Sequence, residues 1–133
     1  MSDLNSKDTY RDNPLLKKVG VELKFTQEQV EEYMRCAEDP IYFCKNYIKI
    51  VNVDEGLMKF KMWDFQKEMI KVYHENRFSI TKCPRQVGKT TTSVAYLLWL
   101  TIFSDTQNVA VLANKGSLAR DILSKYQLAY ENL

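Results

Sequence analysis

The sequence predicts an α/β protein in which the start of a parallel sheet follows a small helical subdomain with a β-hairpin. Three observations favour this class. The second half alternates strand, loop, helix, strand and helix patterns, and parallel neighbours need crossover connections of this kind. The first half has helical periodicity, interrupted by one hairpin pattern. The 133 residues are 45% hydrophobic and 27% charged, which is the composition of an ordinary globular domain.

Composition and charge exclude several functional classes. The formal net charge is only +2, which argues against a strongly basic architectural protein. The longest apolar run, residues 94–103, is shorter than the roughly 18 to 20 residues that a membrane span needs. Because the start of the chain also lacks a secretory pattern, we expect no membrane association and a cytoplasmic location. Metal-cluster and histidine-dependent chemistry are not expected, given the spacing of Cys36, Cys44, Cys83 and the single His74.

The chain divides into three predicted regions. Residues 1–24 are polar with scattered charges and are interpreted as a flexible N-terminal arm. Residues 25–75 form the helical and hairpin subdomain. Residues 76–133 contain the alternating strands and helices and are interpreted as the first part of a larger α/β domain.

The subdomain begins with a capping box. Thr26 as the cap and Gln29 three residues later predict a helix that ends near Asp39. Pro40 suits the first turn of a second helix, which continues to about Tyr47 and carries packing aromatics. The next element is a hairpin with its turn at Gly56, in which apolar residues alternate with lysines: Ile48, Ile50, Met58, Phe60 and Met62.

A third helix is predicted after the hairpin. Asp64 caps this helix, which ends at about Glu75. One stripe of the helix is apolar and consists of Phe65, Met69, Ile70 and Tyr73.

The second half contains two predicted strands, each followed by a helix. The strands are residues 78–82 and 109–113. The first helix, residues 88–103, is almost wholly apolar after Val94 and should be buried on most sides. The last helix starts at about Ser117.

The loop between the first strand and its helix matches a phosphate-binding pattern. Cys83-Pro84-Arg85-Gln86-Val87-Gly88-Lys89-Thr90 fits G-x-x-x-x-G-K-T/S except at its first position, where cysteine replaces glycine. Between a strand and a helix, the amides of such a loop face an anion. Lys89 would contact the β- and γ-phosphates of ATP, and the Thr90 hydroxyl would hold Mg²⁺. The alternative is an ordinary helix start.

Three motifs in order give the chain a family resemblance. The loop Pro-Arg-Gln-x-Gly-Lys-Thr-Thr, the upstream Asp64-Phe65-Gln66 and the downstream segment 113–117, Ala-Asn-Lys-Gly-Ser, resemble the large terminase subunit of contractile-tailed bacteriophages. The resemblance covers residues 26 to 133. It implies a P-loop ATPase fold and an ATP-driven motor that packages DNA into a preformed capsid. In that family the phosphate loop also departs from the usual first glycine.

The resemblance assigns roles to individual residues. Lys89 and Arg85 are the expected catalytic residues, with the guanidinium of Arg85 stabilising charge on the γ-phosphate in cis. Thr90 is the expected magnesium ligand. The nucleotide-binding set is Gln66, which resembles an adenine-recognising glutamine, with Pro84, Arg85, Gln86, Val87, Gly88, Lys89, Thr90 and Thr91. Alternatives stay open, because Arg85 could bind phosphate without catalytic effect or form a salt bridge, and Gln66 could be an exposed helix residue.

The segment after the second strand is open to two interpretations. Asn114, Lys115 and Ser117 follow the carboxyl end of a predicted strand, where ligands gather in α/β sheets, so contact with nucleotide or DNA is possible. Capping of the last helix by Asn114 or Ser117 is equally compatible with the sequence.

The expected partners follow from the resemblance. They are double-stranded DNA, the portal protein and the small terminase subunit, within a homo-oligomeric ring in the host cell cytoplasm. Residues 59–89 hold eight basic and three acidic residues, a local charge of +5, which could contact the DNA backbone or be a solvated face.

One expected element is missing after Lys89. The sequence has no run of four apolar residues followed by Asp-Glu, which in this family completes the magnesium site and polarises water. We therefore expect the N-terminal part of a packaging ATPase, inactive in hydrolysis by itself. The alternatives are the start of a helicase-like translocase and a nucleotide-binding protein without turnover.

Overall fold

The computed structural model describes residues 9–11, 13–20, 24–52 and 54–133, and these form a mixed α/β protein. The described residues contain five helices and two small antiparallel two-stranded sheets. The strands are β1 (Thr9–Tyr10), β2 (Asn13–Lys17), β3 (Lys49–Asn52) and β4 (Gly56–Lys59), and the helices are α1 (Gln27–Glu38), α2 (Pro40–Asn46), α3 (Asp64–Glu75), α4 (Lys89–Phe103) and α5 (Gly116–Glu131).

The chain separates into two compact units, Met1–Glu31 and Glu32–Leu133. In the first unit β1 pairs with β2, with Thr9 opposite Lys17 and an irregularity in register before Tyr10. The arm pattern of residues 1–24 does not predict this pairing, and the rest of that range lies partly outside the described residues. The predicted capping box is confirmed, because the Thr26 hydroxyl accepts from the Gln29 N–H at 3.2 Å and Gln29 Oε1 accepts from the Thr26 N–H at 3.0 Å.

In the second unit, the last turns of α1 are tied to α2 by one carboxylate. Glu32 accepts hydrogen bonds from the hydroxyls of Tyr47 at 2.7 Å and Tyr42 at 2.9 Å. The bond from Tyr47, followed by that from Tyr42, holds the pKa of Glu32 below its usual value. The helix α2 begins as predicted, with Pro40 in its first turn and the Asp39 carboxylate accepting from two backbone N–H groups.

The predicted hairpin is confirmed. Ile50 lies opposite Met58 in the β3–β4 ladder, and the Phe60 N–H continues the pairing by donating to the Ile48 carbonyl at 2.9 Å. Ile48 and Phe60 are buried in the core. Gly56 has φ +70°, the left-handed conformation that the turn requires.

The third helix is present, but its start and its inner face differ from the prediction. Trp63 is the N-cap residue, whereas Asp64 is the first helical residue and its carboxylate pairs with the Lys67 ammonium at 2.8 Å. The stripe on the core side is Gln66, Met69, Ile70 and Tyr73, spaced at i, i+3, i+4 and i+7. Phe65 is exposed because Gln66 takes the inward position.

The core lies around α4, which is buried on most sides as predicted. Ala95, Leu98 and Trp99 pack with Phe43 of α2 and Ile70 of α3. The Trp99 indole contacts the rings of Tyr96, Phe103 and His74, and its Nε1 donates to the Cys36 carbonyl of α1 at 2.7 Å. This cluster joins the carboxyl end of α1 with α2, α3 and α4 into one core.

The two strands predicted in the second half are not formed among the described residues. Residues 78–82 and 109–113 have no ladder partner, and no parallel sheet occurs within 9–11, 13–20, 24–52 and 54–133. Phe78, Ile80 and Leu112 are 82%, 100% and 94% exposed. Strand pairing needs a neighbouring strand to accept and donate backbone hydrogen bonds, and neither segment has one among the described residues. Within the described part of the chain, no helix has the length and apolar character needed to cross a membrane.

Candidate functional site

The segment between Cys83 and α4 forms a tight loop. Residues 85–88 turn the chain, and Gln86 and Gly88 have φ +65° and +76°. Gly88 is the N-cap of α4, with φ +76° and ψ +14° in the left-handed region. Left-handed conformations at two of three successive residues curve the backbone sharply, so that the loop ends at the first turn of α4.

The amides of the first turn of α4 have no acceptor among the described residues. No backbone N–H between Gln86 and Thr91 donates a hydrogen bond within that part of the chain, and the first helical bond runs from the Thr92 N–H to the Gly88 carbonyl at 2.9 Å. No described side chain caps the helix. Free amides and the positive end of the helix dipole make this end of α4 suited to an anion.

Four hydroxyl residues at the start of α4 fall into two pairs. The hydroxyls of Thr92 and Ser93 donate back along the helix, to the carbonyls of Gly88 at 3.1 Å and Lys89 at 3.0 Å. Those of Thr90 and Thr91 make no hydrogen bond with the described residues. Thr91 lines a cavity of about 220 Å³ between α4, the β3–β4 hairpin and α5. Thr90 is therefore the hydroxyl next to the loop that has no hydrogen-bond partner among the described residues.

Gln66 attaches the start of α3 to the loop. Its Oε1 accepts from the Trp63 N–H at 2.9 Å, and its Nε2 donates to the Val87 carbonyl at 3.1 Å. Gln66 is 4% exposed, so the alternative of an exposed helix glutamine is wrong. A Cβ added at Gly88 would lie 2.6 Å from Nε2, so glycine is required at this position by both φ and close approach.

A second attachment involves Tyr73 of α3. Its hydroxyl lies 3.2 Å from the Thr81 hydroxyl in the segment that enters the loop and 3.2 Å from the Ser93 hydroxyl in α4. Both ends of the loop are thereby held against the same helix. Sequence reasoning missed this role, although the helical spacing of Gln66 and Tyr73 is a signal that could have identified it.

The two predicted catalytic residues are exposed. Lys89 and Arg85 have no carboxylate within ion-pair distance in the described residues, whose ion pairs involve other side chains. The salt-bridge alternative for Arg85 is therefore not supported. Both cations lie on the loop or at its end and are free to meet a negatively charged ligand.

Within the described ranges, no hydrogen bond or ion pair joins the downstream motif, residues 113–117, to the loop. Asn114, Lys115 and Ser117 are exposed, and α5 begins at Gly116 with Lys115 as N-cap. No side chain caps α5, so the capping alternative for Asn114 and Ser117 is wrong for the described chain.

The cysteines are free, as predicted. Burial raises the pKa of the Cys44 thiol to about 12 and that of Cys36 to about 11, so both remain protonated at neutral pH. The described residues contain no group of three or more metal-ligating side chains of the His, Cys, Asp or Glu type.

No known protein-family model matches the sequence.

Proposed function

We propose that residues 84–91 bind the triphosphate of ATP with Mg²⁺, and that the chain is the N-terminal part of a DNA-packaging motor, the large terminase subunit of a contractile-tailed bacteriophage. The observation that carries this proposal is the loop itself. Gly88 in a left-handed conformation leads directly into α4, whose first-turn amides have no acceptor in the described residues. This is the local geometry that an anionic ligand needs.

The side chains around the loop support phosphate chemistry. Lys89 carries an unpaired positive charge next to the free amides and would neutralise the β- and γ-phosphates. The free hydroxyl of Thr90 would hold Mg²⁺, which prefers oxygen ligands. Arg85 is the candidate for stabilising the charge that develops on the γ-phosphate during transfer.

Gln66 would contribute to the base side of the site. Its amide carbonyl is used by Trp63, and one N–H is used by Val87. An amide nitrogen has two donors, so one N–H has no acceptor among the described residues and is available for adenine.

The proposal includes the domain that surrounds the loop. Segments 78–82 and 109–113 are proposed as two strands of a parallel P-loop sheet, because each has apolar residues in a strand pattern and precedes a helix. In a packaging motor this domain would belong to an oligomeric ring and would act on double-stranded DNA with the portal protein and the small terminase subunit. Hydrolysis would need an acidic magnesium-site motif, which is not in this sequence.

The first test is nucleotide binding by the protein with Lys89→Ala. Removing the charge next to the phosphates should weaken binding of Mg²⁺-ATP at least about tenfold in isothermal titration calorimetry, because hydrogen bonds to charged groups are among the stronger ones. The matched control is Lys71→Ala on α3, an exposed lysine that is not part of the loop. Unchanged affinity in Lys89→Ala would exclude the phosphate site.

The packaging role has its own test, made with the full gene product. ATP-dependent uptake of DNA into empty capsids is the expected activity. Strand separation without capsid-dependent uptake would favour the helicase-like alternative, and nucleotide binding without any turnover would favour the non-catalytic one.

A further inference from the structure

The two tryptophans of the chain have opposite environments. Trp99 is 5% exposed, stacks against other rings and donates its indole N–H to a backbone carbonyl. Trp63 is 71% exposed, and its indole has neither a ring partner nor a hydrogen bond among the described residues. A single exposed apolar side chain is common and would carry no argument by itself. The position of Trp63 relative to the loop is what distinguishes it.

The backbone of Trp63 is fixed relative to the loop. Gln66 accepts a hydrogen bond from the Trp63 N–H at 2.9 Å and donates one to the Val87 carbonyl at 3.1 Å. Gln66 is buried, so these bonds are shielded from competing water. The side-chain amide of Gln66 therefore bridges Trp63, the N-cap residue of α3, and the loop. The backbone of Trp63 is thus held at a set distance from the proposed phosphate site.

We propose that Trp63 is the stacking platform for the base of the nucleotide whose phosphates bind at residues 84–91. The inference rests on the proposed function and adds to it the residue that holds the base. An indole ring offers a large flat face with little conformational freedom. A nucleobase offers a matching face, and base–aromatic stacking tolerates any base because each one is planar. Gln66 is then a positioning residue, which keeps the platform and the loop at a set separation.

The test separates the base from the phosphates by using two ligands, Mg²⁺-ATP and inorganic tripolyphosphate. Trp63→Ala should weaken ATP binding about tenfold or more in calorimetry, the effect expected from loss of one stacked base. Binding of tripolyphosphate should change by less than about twofold, because that ligand has no base. Trp63→Phe keeps an aromatic face and should retain ATP affinity within about threefold.

Fluorescence gives a second readout from the same proteins. In the wild type, ATP should shield Trp63 from quenching by acrylamide, whereas tripolyphosphate should not. Trp63→Phe leaves the buried Trp99 as the only tryptophan, so the tryptophan emission should not respond to ATP. An unchanged emission maximum of Trp99 would confirm that the core is folded.

The outcomes distinguish this inference from the proposed function. If the wild type binds both ligands and Trp63→Ala binds ATP with unchanged affinity, the stacking platform is wrong and the phosphate site stands. An equal loss of affinity for ATP and tripolyphosphate in Trp63→Ala would also overturn the inference, since Trp63 would then support the loop. If the wild type binds neither ligand, both proposals fail.

Discussion

Two regions that lie against α4 differ in how well their apolar side chains are buried. Where α2 and α3 meet α4, Ile70 and Leu98 are fully buried and aromatic rings fill the remaining space. Where segments 78–82 and 109–113 run, apolar side chains are exposed, and cavities of about 470 Å³ and 200 Å³ lie against α4. Both regions are similarly apolar in sequence, so composition does not explain the difference.

The difference comes from how each kind of element satisfies its backbone. A helix forms its hydrogen bonds internally and needs only a partner for its apolar face. A strand needs a neighbour for its backbone as well as cover for its side chains. Among the described residues the helices have these partners, and segments 78–82 and 109–113 have no neighbouring strand. The following substitutions test this contrast, starting with the largest expected effect.

Leu98→Ala should be the most destabilising of the changes considered. It removes a buried side chain from the centre of the packed region and should lower the free energy of unfolding by about 2 to 5 kcal/mol, measured by urea denaturation. The matched control is Ile80→Ala in the exposed segment, which should change stability by less than about 0.5 kcal/mol. Similar losses in the two variants would show that segment 78–82 is packed in solution.

Gly88→Ala should have the next largest effect, and it acts on the loop. A side chain at this positive φ costs about 1 to 2 kcal/mol, and its Cβ would also displace Gln66 from Val87. We expect loss of tripolyphosphate binding in calorimetry together with reduced stability. Gly56→Ala is the control, because φ there is +70° but no atom lies within 4 Å of an added Cβ. If Gly88→Ala still binds the anion, the close contact with Gln66 does not set the shape of the loop.

Glu32→Gln should have the smallest effect and should depend on pH. Because the folded state lowers the pKa of Glu32, its contribution to stability is present above the usual value of 4.5 and is lost as the pH falls through the lower folded value. The variant should therefore be less stable than the wild type at neutral pH, and the difference should shrink in acid. Denaturation curves between pH 7 and about pH 3 measure this.

Glu55→Gln in the hairpin turn is the control at neutral pH, since Glu55 is exposed and its carboxylate makes no hydrogen bond with the described residues. This variant should differ from the wild type by less than about 0.5 kcal/mol at that pH. If the difference in stability between Glu32→Gln and the wild type stays constant in acid, the hydrogen bonds from the Tyr42 and Tyr47 hydroxyls do not depend on the charge of Glu32.

Local patterns in the sequence were sufficient for most of the helices and the hairpin. The Thr26–Gln29 capping box, the proline start of α2 and the β3–β4 alternation each depend on residues a few positions apart. The glycine before Lys89 likewise predicts the turn into α4. In each case the residues that stabilise the element are close together in the sequence.

Interactions between distant residues could not be predicted in this way. The bond from Gln66 to Val87 spans 21 residues, and the bonds from Tyr42 and Tyr47 to Glu32 span 10 and 15. The prediction that Phe65 faces the core misses that the inward residue is Gln66, whose amide oxygen and nitrogen each make one hydrogen bond. The parallel sheet stays a prediction for the same reason, because a strand pattern gives no information about whether a neighbouring strand is present.

The hydrogen bond from the Trp99 indole satisfies the Cys36 carbonyl, which lacks its usual helical donor at the junction of α1 and α2. The carbonyl of Cys36 would normally accept from the N–H four residues later, but that residue is Pro40, which has none. Trp99, 63 residues further along the chain, supplies the missing donor at 2.7 Å. Docking of α4 therefore gives this carbonyl the donor that proline cannot provide, and loss of the indole N–H would leave a buried acceptor without a partner.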